Sequence, residues 1–168
     1  PATDDYVDYP QFASILGAAK LTGRLPSKTS VGFLAAATSE ESADLANEDL
    51  GTERSVRVAP RAYYGVARVL QEFGANASTA GLFASLVHRD FEDADPLANL
   101  YARNAAAFAG NTLLRFAGGQ YEFRAAAGGS YINGSAQAME RVQRSSAHFA
   151  QRPDRDYSTL DPTLTSLP

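Results

Sequence analysis

Stretches of about ten residues, in which apolar and polar side chains alternate, recur along this chain between polar segments rich in turn formers. Period-two alternation places successive side chains on opposite faces of a strand. Residues 78–89 show it most clearly. Ala80, Leu82, Ala84 and Leu86 fall on one face, and Thr79, Gly81, Ser85 and Arg89 fall on the other. In the strand over 104–116, Phe108, Leu114 and Phe116 share a face, while Arg103 (just before it), Asn111 and Arg115 share the opposite one. Over 121–133, Tyr121, Phe123 and Tyr131 oppose Glu122, Arg124 and Ser130.

Three further strands are predicted over 14–23, 30–38 and 61–73. Residues 24–28 join the first two, with Pro26 ending the ladder. Gly74 to Ala77 and Ala117 to Gln120 are tight hairpin connections. Longer segments separate the hairpins. The acidic run 39–53 reads either as a loop or as a helical turn capped by Ser39. Residues 90–96 form a second acidic loop. Past Gly134 the period changes. Residues 135–144 predict a short helix capped by Ser135, with Ala138, Met139 and Val142 on one side. Residues 146–151 read as another extended piece.

The fold expected is all-β, an antiparallel meander of about six to seven strands with one short helix near 135–144. Short turns alternating with long connections, and strands of about 9 to 11 residues, suit an outer-membrane-type β-barrel. An open curved sheet fits as well, and a soluble sandwich would show the same alternation. Residues 1–168 read as a single β-domain and as a piece of a longer barrel-containing protein, since six strands cannot close a barrel of the bacterial kind.

Composition narrows the functional classes. Charged residues make up 20% of the chain and hydrophobic ones 45%, which excludes a disordered segment. The formal net charge of -4 and the lack of a basic stripe argue against nucleic acid. There is no cysteine, and hence no disulfide or thiolate chemistry. No run approaches the ~18 to 20 apolar residues of a membrane helix.

Candidate chemistry is sparse. Gly17 to Gly23 contains glycine, lysine and threonine, but not in phosphate-loop order, and it lies within a strand. Lys20 reads instead as a polar-face lysine, a candidate partner for a glutamate across the sheet. Asp90, Glu92, Asp93 and Asp95 crowd one loop without the spacing of a calcium loop, and read as solvated. His88 and His148 carry no metal-binding motif, and His88 is expected to make a hydrogen bond at the strand rim. No nucleophile elbow occurs. Tyr63, Tyr64, Phe73, Phe116, Tyr121 and Tyr131 fall near strand ends. They suit interfacial girdles, core or rim packing, or a sugar-stacking platform.

ILGAAKLTG from Ile15, SSAHFAQRPD from Ser145 and DPTLTSL from Asp161 resemble segments of the bacterial domain of unknown function 5916 family. The resemblance extends from about Ile15 to Leu167. It implies a barrel-like region, which in such proteins usually follows a carbohydrate-binding family nine module, and an envelope location in a Gram-negative-type cell, at the outer membrane or in the periplasm. It implies no reaction. The carbohydrate-binding module is absent from this chain, so carbohydrate is a possible ligand only through that module.

The sequence therefore predicts a non-catalytic chain without cofactor or metal site. Its role is either that of an outer-membrane barrel segment in transport or surface ligand binding, or that of a structural accessory subunit whose open sheet docks on a larger membrane assembly. The partner expected is a membrane or a membrane protein. The apolar, lipid- or partner-facing set is Leu82, Leu86, Phe108, Leu114, Phe116, Phe123 and Tyr131. The polar set is Lys20, Arg103, Asn111, Arg115, Glu122 and Arg124.

Overall fold

The computed structural model describes residues 6–47, 51–146 and 159–168. Ten strands are described: β1 (Tyr6–Asp8), β2 (Ile15–Arg24), β3 (Thr29–Thr38), β4 (Glu41–Asn47), β5 (Thr52–Ala59), β6 (Ala62–Phe73), β7 (Ser78–Arg89), β8 (Asn104–Phe116), β9 (Tyr121–Asn133) and β10 (Ser166–Leu167). One helix, α1, covers Ala136–Arg144.

Seven strands form one antiparallel sheet in the order β10-β9-β8-β7-β6-β3-β2. This is the expected meander. Residues 61–73, 78–89, 104–116 and 121–133 pair as consecutive neighbours, with Leu82 opposite Val69 and Gly110, and Phe108 opposite Gly129. Among the described residues, the outer strands β2 and β10 do not pair with each other, so the sheet is open.

The acidic segment departs from expectation. Glu41–Asn47 and Thr52–Ala59 are neither loop nor helical turn but the antiparallel strands β4 and β5, which with β1 make a separate three-stranded sheet. The main sheet steps over this excursion, because β3 pairs directly with β6. Ser55-Val56-Arg57-Val58 carries the period-two signal for β5, and the acidic residues around it mask that signal. The extended piece predicted over 146–151 and His148 lie, from residue 147 on, outside the described residues.

Connections at the two ends of the main sheet differ. At one end lie the short turns β2–β3, β6–β7 and β8–β9. In the last of these, Ala117, Gly118 and Gly119 all have positive φ (49°, 68° and 91°), so two glycines remove the Cβ clash that this path would impose. At the other end lie the β4–β5 hairpin, a 3-10 turn at Pro96–Asn99, and α1.

Those long connections pack into a cap. Ala102, Ala138, Met139 and Leu167 form a small buried core, with Ile132 and Val142 against it. The Ser135 hydroxyl accepts from the Ala138 N–H and donates to the Ala98 carbonyl, so one side chain starts α1 and ties it to the 3-10 turn. Buried Gln143 exchanges two 2.9 Å hydrogen bonds with the backbone of Asp161, which holds the C-terminal segment in place.

Candidate functional site

The feature with most chemical consequence is the main sheet itself, because its two faces differ completely in charge. Cross-strand partners share a face, so the register assigns each side chain. From Gly17 onward in β2, and throughout β3 and β6 to β10, every Asp, Glu, Lys and Arg points to one face: Lys20, Arg24, Arg68, Glu72, Arg89, Arg115, Glu122 and Arg124. The opposite face carries none.

The charge-free face brings together Leu82, Leu86, Phe108, Leu114, Phe116, Phe123 and Tyr131, the set expected from alternation. Leu21, Val31, Phe33 and Val69 extend it across β2, β3 and β6. Most of these side chains are exposed, Leu82 at 69% and Phe108 at 60%, while Leu114 and Val31 are half-buried. Aromatic rings sit at both ends. Tyr63 and Tyr131 lie toward the cap, and Phe73, Phe116, Tyr121 and Phe123 lie toward the short turns. Tyr64 departs from the expected girdle, since it immediately follows Tyr63 and its register partners Ala36 and Val87 put it on the charged face. At mid-sheet Phe108 lies over Gly129, where an added Cβ would come 2.8 Å from the ring.

On the charged face the carboxylates are shared. Glu72 accepts from Arg24 at 2.9 Å and lies 3.4 Å from Lys28, while Glu122 accepts from Arg115 at 2.9 Å and Arg124 at 3.0 Å. Lys20 lacks the glutamate partner expected of it. It stands opposite Leu34, and no carboxylate among the described residues pairs with it or with Arg68. Asn111 lies over Gly81, its side-chain oxygen 2.8 Å from where a Cβ would be. Arg103 is exposed, as a polar-face residue is expected to be, and has a partner of its own. It precedes β8, and its guanidinium sits 5.2 Å from the centre of the Phe91 ring in a cation–π contact. The basic residues, scattered in sequence, thus converge on one face, and the absence of a basic stripe from the linear chain gave no hint of it.

The remaining candidates serve the cap. Both His88 ring nitrogens are held at the rim, one 2.6 Å from Asn104 Oδ1 and the other 3.1 Å from Asp90 Oδ1, with Tyr63 stacked alongside. Asp95 is not solvated as expected. Its side chain is buried, accepts from the Leu97 N–H at 2.9 Å and pairs with Arg57. Burial works against the charge on Arg57, but Asp95, Glu40 and Glu92 outweigh it and raise the pKa. Glu41 is held below the usual carboxylate range by the Ser14 N–H and by hydroxyls, and Asp161 by hydrogen bonds from Thr163. Among the described residues no group of three His, Asp or Glu side chains could hold a metal ion.

Fold and faces together define a class: an open antiparallel meander, charged on one side and apolar on the other, capped at the end that bears its long connections. Within that class the sequence profile of one family, described as Domain of unknown function (DUF5916), matches residues 2–150. The chain belongs to that family. No curated protein and no solved structure matches it.

Proposed function

We propose that this chain is a non-catalytic segment of an outer-membrane-type β-barrel in a bacterial envelope, with its charge-free face against lipid and its charged face toward a water-filled interior used for transport or ligand binding. The observation that carries the reading is the complete segregation of charge between the faces. A charged side chain on the lipid face costs about 2 to 4 kcal/mol at mid-membrane. Water on both sides would exert no such selection.

Dimensions support it. The aromatic rows of Tyr63 and Phe73 are ten residues apart along β6. At ~3.3 Å per residue that is about 33 Å of strand. Tilted by ~40°, it spans about 25 Å, the height of the apolar band of such barrels. The asymmetry of short turns and long connections also matches them. No helix among the described residues is long and apolar enough to cross a membrane, and this does not bear on spanning by strands.

The free edge of β2 favours a second reading, an accessory subunit whose open sheet docks on a larger membrane assembly. Dilution of urea-unfolded chain into buffer, or into buffer with phosphatidylcholine vesicles, tests the proposal. The expected result is a β-type circular dichroism spectrum and co-flotation with vesicles only when lipid is present. A folded, lipid-indifferent monomer in buffer would overturn the barrel reading.

A further inference from the structure

The charged face is strongly one-signed. Six of its eight charged residues are basic, although the chain as a whole carries a formal charge of -4. Each of its two carboxylates is already shared between two cations. Arg68 and Lys20 stand in mid-strand with no carboxylate partner among the described residues. The fold does not need this arrangement, because uncharged polar residues would solvate that face equally well without mutual repulsion.

The positive side chains also converge. Arg68, Thr79, Asn111 and Arg124 line one open hollow of about 600 Å³ on β6 to β9. All four can donate hydrogen bonds, and two are guanidinium groups, whose paired N–H bonds match the oxygens of a carboxylate or phosphate. Leu70 and Leu113 also line the hollow, and Gly81, Ala109, Ala126 and Gly128 around it are small. Arg124 is held on one side by Glu122 at 3.0 Å, whereas Arg68 has no carboxylate partner among the described residues.

The geometry points to an oxyanion-binding site on the charged face, centred on Arg68 and Arg124, that takes solutes bearing carboxylate, phosphate or sulfate groups. A cleft lined by one sign of charge raises the local concentration of its counter-ion, so the same face favours anions along its length. The inference rests on that face being wet, as proposed above, but it does not require the sheet to conduct.

The test is isothermal titration of the full chain, folded in maltoside micelles that contain no phosphate, with inorganic phosphate in one arm and glucuronate in the other. Saturable binding is expected in at least one arm, and the arm that binds more tightly identifies the preferred group. Combined Arg68→Gln and Arg124→Gln should weaken it by about tenfold or more, while Arg141→Gln in α1 leaves it unchanged. If the double variant does not fold, Arg68→Gln alone serves, with an expected loss of about threefold or more. Absence of saturable binding by the folded protein in both arms, or binding that survives loss of the arginines, overturns the site. Lipid contact at Leu82, measured separately, keeps a failure here distinct from a failure of the barrel reading.

Discussion

The main sheet and the cap at its long-connection end are built on different principles. Among the described residues the buried hydrophobic side chains are Ala43, Ala62, Leu97, Ala102, Ala138, Met139 and Leu167, all in the cap, the small sheet or the adjoining strand ends. The middle of the main sheet buries none, yet it displays Leu21, Phe33, Leu82, Leu86 and Phe108 largely uncovered. A water-soluble sheet hides its apolar face against a second layer. This one has a long hydrogen-bonded ladder, and no second layer covers its apolar face among the described residues. The cap is stabilised by packing and side-chain hydrogen bonds, whereas the apolar face of the sheet lies uncovered, which is why the barrel reading proposed above places it against lipid.

That contrast can be broken by exchanging chemistry between the regions. The largest effect is expected from combining Leu82→Arg with Phe108→Arg, at about 4 to 8 kcal/mol for two mid-membrane arginines. Asn111→Arg with Ser130→Arg should be nearly neutral. Urea titration of vesicle-folded protein measures both, and equal losses would show that the faces are misassigned. Met139→Ala, at a fully buried position, should cost about 2 to 3 kcal/mol and loosen α1. Vesicle flotation should be unaffected. Hydrogen exchange confined to the cap would sharpen the division between regions, and exchange spread through β7 and β8 would erase it.

Smaller effects separate interactions within the cap. Asp95→Asn keeps an acceptor for the Leu97 N–H but removes the charge facing Arg57, a loss of about 1 to 2 kcal/mol in thermal unfolding of the cap. The smallest effect is a pH dependence. Glu41 and Asp161 have folded-state pKa values below their ordinary ones, so they contribute fully above the ordinary carboxylate range and lose that contribution as pH falls through the depressed values. Glu41→Gln should flatten the acid limb of stability against pH. An unchanged limb would mean that the Ser14 contact adds nothing.

The division also explains what could be read from the sequence. Strands β7, β8 and β9, their order and their faces were legible because period-two alternation is a local property and tight turns leave few pairings. Ser135 capping of α1 was legible for the same reason. The β4–β5 hairpin was obscured by charge, since Glu40, Glu41 and Asp44 interrupt the apolar alternation that marks a strand. Asp95 looked like one of several solvated acids because its burial depends on Arg57, thirty-eight positions away. Convergence of the basic residues depends on register across β2, β6, β8 and β9, and so on contacts that no local window contains. The solvent of the apolar face is not encoded locally either, because lipid and a second sheet layer select the same side chains.

The chain has no cysteine, so single-cysteine labelling measures that solvent directly. Leu82→Cys, Phe108→Cys, Asn111→Cys and Ser130→Cys would each carry an environment-sensitive fluorophore in vesicle-folded protein, exposed in turn to brominated lipid and aqueous iodide. Labels at Leu82 and Phe108 are expected to be quenched by the lipid and shielded from iodide, and those at Asn111 and Ser130 to behave in the opposite way. Equal iodide quenching at all four positions, in protein whose sheet is intact by circular dichroism, would contradict the barrel reading.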